Sequence, residues 1–72
     1  MERNKYIKLC QIGAVDNSIK VKYNNIQYFP SAYMMQFDGA GNPVNIAVLR
    51  DMNKNTIVYA QIEKVVENGN WM

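Results

Sequence analysis

Residues 19–37 read IKVKYNNIQYFPSAYMMQF, and the way this stretch turns back on itself decides the architecture. Apolar and polar residues alternate on both sides of Asn24-Asn25, which is the period of a half-buried strand. Asn tolerates positive φ, so the pair suits a two-residue type I′ hairpin turn. Such a turn sets the register: Tyr23 opposes Ile26, Val21 opposes Tyr28, and Ile19 opposes Pro30. These six share one face, while Lys22–Gln27 and Lys20–Phe29 pair on the other. Pro30 lacks an amide proton, so it should end a strand or mark an edge. A new strand, AYMMQFD, is expected to follow Ser31.

Working outward, DGAGNP (38–43) reads as a six-residue loop and VNIAVLR (44–50) as the return strand. With Phe37 opposite Val44, Met35 meets Ile46 and Tyr33 meets Val48. The reverse face then carries Ala32, Met34 and Gln36 against Leu49, Ala47 and Asn45. It holds no charge, and a sheet apolar on both sides must be covered on both sides. The N-terminal strand and the tail around Trp71 are one candidate cover. A second copy of the chain is the other, with Ala32, Met34, Ala47, Leu49 and Trp71 as the oligomer interface.

Beyond the loop DMNKN, the run TIVYAQIEKVV places Arg50 opposite Thr56, Val48 opposite Val58, Ile46 opposite Ala60 and Val44 opposite Ile62. A short helical turn is expected near residues 63–66. Tyr6–Val15 reads as an irregular first strand with a bulge or bend at Gly13. Turn clusters recur every ten residues or so and no segment carries a clear helical stripe, which predicts an all-β domain of five short antiparallel strands in meander order. Closing them into an SH3-like barrel would remove the open edges. Its core would be Ile19, Val21, Tyr23, Ile26, Tyr28, Tyr33, Met35, Phe37, Val44, Ile46, Val48, Val58, Ala60 and Ile62.

Seventy-two residues make one domain, near the lower size limit for unaided folding. Cys10 is the single cysteine, so no intrachain disulfide forms, and a reducing, cytoplasmic setting is expected. Histidine is absent, which removes the commonest general base and metal ligand. No apolar run reaches the ~18 residues a membrane span needs. The N-terminus lacks the apolar segment of a signal peptide, and the chain reads as complete from Met1 to Met72. Ten Asn, seven Ile, six Lys and five Tyr are residues with A/T-rich codons, pointing to a low-GC bacterium or a mobile element within one.

Catalytic patterns are missing. Asp38 and Asp51 fall in turns, where Asp bonds its own backbone. FDGAGN holds one carboxylate, too few for a calcium loop. Gly39–Gly41 lies between two strands, unlike a phosphate-cradling loop. Cys10 has no histidine to activate it and reads as a buried apolar residue. No metal or other cofactor is expected.

Net charge is +2, but residues 1–22 hold Arg3, Lys5, Lys8, Lys20 and Lys22 against Glu2 and Asp16. Lys20, Lys22 and Phe29, with Lys8 nearby, could form a basic groove with an aromatic for stacking bases. The plainer reading is a solvated strand face. Arg50 and Tyr59 at one rim form a second binding candidate, able to grip a phosphate and a base. The plainer reading is a rim charge and an ordinary strand tyrosine.

The runs KYNNIQYFP, FDGAGNP, AVLRDM and VYAQIEKV resemble small all-β proteins of phages and mobile elements of low-GC Gram-positive bacteria. The likeness covers about residues 21–66 and rests on strand spacing and turn residues. It implies a compact accessory protein of the bacterial cytoplasm that binds a host component. The expected function is therefore non-enzymatic and of anti-defence type: masking a host protein, or sequestering a small nucleotide signal between protomers. The alternative is a nucleic-acid-binding SH3-like module.

Overall fold

The structure is a computed structural model and describes residues 1–53 and 55–67. Helix α1 spans Arg3–Gly13, followed by strands β1 (Val21–Tyr23), β2 (Ile26–Phe37), β3 (Pro43–Arg50) and β4 (Ile57–Gln61). A 3₁₀ turn, Ile62–Lys64, then leads to β5 (Val66–Glu67). The turn sits one residue ahead of its expected place. The strands form one antiparallel sheet in the order β4-β3-β2-β1-β5.

The Asn24-Asn25 turn forms as expected. Both residues have positive φ, 54° and 65°, and Val21–Tyr28, Lys22–Gln27 and Tyr23–Ile26 are paired. Pro30, however, does not end the strand. β2 continues for twelve residues through a bulge between Pro30 and Ala32. The extra residue reverses the alternation, so Pro30 and Tyr33 lie on the same face although three positions apart.

The first segment is a helix, not a strand. Tyr6, Leu9, Cys10 and Gly13 recur at three- and four-residue steps, one face of a 3.6-residue period. Tyr6 and Leu9 are buried, with Cys10 packed against the core beside them. Gly13 is the last helical residue and marks no bulge. The helix has no side-chain N-cap and no acidic residue in its first turn, so packing against the sheet is what stabilises it.

β3 lies one residue out of its expected register. Phe37 pairs with Pro43, Met35 with Asn45, Tyr33 with Ala47 and Pro30 with Leu49. The loop is shorter than six residues because Asp38 and Asn42 close it. The Asp38 amide donates to the Asn42 carbonyl at 3.0 Å, and the Gly41 amide to the Asp38 carbonyl at 3.0 Å. Gly41 takes φ 85°, the left-handed position of a three-residue hairpin loop. Pro43 therefore starts the strand, where its missing N–H is tolerated.

The slip turns β3 over. Ala47 and Leu49 are fully buried under the helix at 0% exposure, not at an outer interface. Val44, Ile46 and Val48 lie on the opposite face instead of in the core. On the β4 side, Leu49 meets Val58, Ala47 meets Ala60, and Arg50 meets Ile57 in place of Thr56. The core is Tyr6, Leu9, Ile19, Val21, Tyr28, Ala47, Leu49, Ala60, Ile62 and Val65, with Tyr23, Tyr33 and Val58 half-buried against it. Ile26, Met35 and Phe37 are exposed. Met35 and Phe37 stand toward the tip of the β2–β3 hairpin.

The sheet is not closed into a barrel among the described residues. β4 and β5 are its two edges, and α1 supplies the layer that the far wall of a barrel would have formed. Trp71 lies outside the described residues.

Candidate functional site

The face of the sheet that no described element covers is the candidate site. Opposing residues of an antiparallel pair share a face, so its rows follow from the register. Phe29, Arg50 and Ile57 form one row; Ala32, Val48 and Tyr59 the next; Met34, Ile46 and Gln61 a third; Gln36 and Val44 a fourth. Lys22 extends the face across β1, beside Gln27 and Val66. Lys20 reaches the same corner, with its Nζ 6.0 Å from the centre of the Phe29 ring.

The two separately expected binding pairs thus come together. Lys20, Lys22, Phe29 and Arg50 occupy one corner, and Tyr59, 64% exposed, stands on the neighbouring row. Lys8 does not join them. It sits on α1, which packs against the opposite face. Ala32 and Met34 belong to the face as expected, but their β3 neighbours are Val44, Ile46 and Val48, not Ala47 and Leu49. Sequence reasoning missed these two valines and the isoleucine because both alternations of β3 are apolar.

No strand residue of this face is acidic. Its middle rows are apolar apart from Gln36 and Gln61, and its one charged corner is cationic. Four of the six carboxylates are engaged in turns or on the helix side. Asp38 Oδ1 accepts from the Ala40 and Asn42 amides, each at 2.9 Å, and these bonds hold its carboxyl below the usual range, Asn42 contributing most. Asp16 Oδ1 accepts from the Ser18 hydroxyl at 2.7 Å and the Ser18 amide at 2.9 Å, which lowers its pKa likewise. Asp51 Oδ1 accepts from the Asn55 amide at 2.8 Å and the Thr56 amide at 3.3 Å. Glu67 pairs with Lys5 on the helix side. These Asp residues act as turn acceptors, as their positions suggest.

Behind the face, Tyr6 ties the helix to the bulge. Its hydroxyl donates to the Val48 carbonyl at 2.8 Å and accepts from the Ser31 backbone. Burial, with Cys10 second, pushes its ionisation well above the usual tyrosine range. Burial also raises the Cys10 thiol, which disfavours the nucleophilic thiolate. A cleft of about 280 Å³ lies between Met1, Glu2, Lys5, Val65, Val66 and Glu67. The Met1 ammonium group there donates to the Ile62 and Val65 carbonyls, each at 2.9 Å.

Among the described residues, no three His, Cys, Asp or Glu side chains cluster to hold a metal ion, and no helix is long and apolar enough to cross a membrane. No family model, curated protein or solved structure matches the chain.

Proposed function

We propose that this chain is a non-enzymatic binding protein whose working surface is the uncovered sheet face. One observation carries the reading: apolar rows built from Ala32, Met34, Val44, Ile46, Val48, Ile57 and Tyr59 adjoin a corner of Lys20, Lys22 and Arg50, with no acidic strand residue between them. Such a surface suits a partner that is apolar with an acidic margin, since complementary charge speeds and orients docking. Masking a host protein is the function that fits such a surface, and an anti-defence role is the setting that a mobile-element origin would imply. Cross-linking in a low-GC bacterial host, read by mass spectrometry, tests this. The wild type should capture a defined partner that both Ile46→Asp and Lys22→Glu/Arg50→Glu lose. Unchanged capture by both variants would overturn the proposal.

Nucleic-acid binding is the second reading, favoured by the meeting of Lys20, Lys22, Phe29 and Arg50 at one corner. It predicts anisotropy binding of labelled single strands that weakens steeply with salt and is lost in Lys20→Glu/Lys22→Glu. Binding of neither DNA nor RNA at low salt would dismiss it. A thermal-shift panel of cyclic dinucleotides tests the related idea of a sequestered signal, and a flat panel would exclude it.

A further inference from the structure

Strand β4 has the composition of an interior strand and the position of an edge. Ile57–Gln61 reads IVYAQ, with no charge, proline or glycine, and pairs with β3 in unbroken register over all five residues. Natural edges are normally blunted by charge, proline, a bulge or shortness. The opposite edge follows that rule: β5 is two residues long and carries the Lys5–Glu67 ion pair. β4 has none of these devices, and no described residue pairs with its outer side.

We infer that β4 pairs antiparallel with β4 of a second copy, about a two-fold axis through Tyr59 and perpendicular to the sheet. Tyr59 then faces Tyr59, Val58 faces Ala60 and Ile57 faces Gln61. The pairing is self-complementary, as a two-fold interface requires. The strand contributes no charge, so its mate meets none. On the helix side, the buried row that runs through Ala47 to Ala60 continues onto Val58 of the mate. On the open side, the exposed Tyr59 rings become a cross-strand aromatic pair. The product is a single ten-stranded sheet with both helices on one side. The two uncovered faces stay open and become continuous, and the pairing rests on the edge of β4, not on the binding role proposed for the face.

Sedimentation equilibrium of the full chain over a wide concentration range tests the assignment. The wild type should be a reversible dimer. Tyr59→Lys sets two like charges opposite each other and should weaken dimerisation about tenfold or more, with the circular dichroism of the fold retained. Met34→Lys, on the open face away from β4, should leave the dimer intact. In a Cys10→Ser background, Tyr59→Cys should form an interchain disulfide on mild oxidation, while Ile26→Cys, exposed on another strand, should not. A wild type that is monomeric throughout overturns the inference. So does a dimer that withstands Tyr59→Lys but is dissolved by Met34→Lys, the result expected of face-to-face packing.

Discussion

The Tyr6 hydroxyl donates to the Val48 main-chain carbonyl at 2.8 Å and accepts from the Ser31 backbone across the β2 bulge. A bulge leaves ladder groups without their usual partners, and here a helical side chain serves both strands at that point. Tyr6→Phe keeps the ring packing but leaves these backbone groups short of a partner. It should cost about 1–3 kcal/mol in urea unfolding. Tyr6→Ala also removes a fully buried ring and should cost about 3–5 kcal/mol. A Tyr6→Phe variant as stable as the wild type would show that the hydroxyl contributes nothing.

Val48 and Leu49 are neighbours in sequence and lie on opposite faces. Leu49→Ala opens a cavity under α1 and should cost about 2–5 kcal/mol. Val48→Ala, on the uncovered face, should cost under about 1 kcal/mol. The reverse order in denaturant titrations would place β3 in the other register.

Asn24, Asn25 and Gly41 all have positive φ. Gly41→Ala should cost about 1–2 kcal/mol, because the added Cβ crowds the following carbonyl, and Asn25→Ala should cost less, losing only the short polar side chain that favours this conformation. Asn25→Gly should stay within roughly 0.5 kcal/mol of the wild type, since Asn-Gly is a favoured type I′ pair. Equal melting temperatures for Asn25→Ala and Asn25→Gly would refute this turn geometry.

Acid and alkali should act through different residues. Asp38 and Asp16 have folded pKa values below their ordinary 3.8, so their contribution is present above that value. It is lost as the pH falls through the lower folded values. Tyr6 has a folded pKa raised above its ordinary 10.0, so its contribution is full below pH 10.0 and is lost as the pH climbs beyond it. Thermal melts across pH should show Asp38→Asn flattening the acid limb alone and Tyr6→Phe the alkaline limb alone. Asp38→Asn moving the alkaline limb would contradict the assignment.

The first hairpin is legible in the sequence because Asn24-Asn25 and the flanking alternation impose one register. β3 is not legible in the same way. Val44, Ile46 and Val48 on one alternation and Ala47 and Leu49 on the other are all apolar, so pattern cannot choose which set faces inward. The choice falls to the Asp38–Asn42 closure, a matter of one residue in the loop. α1 hides for another reason. It lacks a cap, Ile12 points to solvent, and its specification comes from the sheet it covers. Lys20, Lys22 and Phe29 can be grouped from the first hairpin alone. Their meeting with Arg50 depends on the Phe29–Arg50 pairing, which links distant segments.

Met1 and the Tyr6 hydroxyl are made first and tied down last. Met1 is held by Ile62 and Val65, 61 and 64 positions later, and Tyr6 by Val48, 42 positions later. Contacts this distant must wait for loop closure before they stabilise anything. The β1–β2 hairpin, and the packing of Tyr6 and Leu9 against it, can form before these hydrogen bonds close. The two hydrogen bonds of Met1 can close only once Val65 has left the ribosome, so this anchoring is a late step of folding.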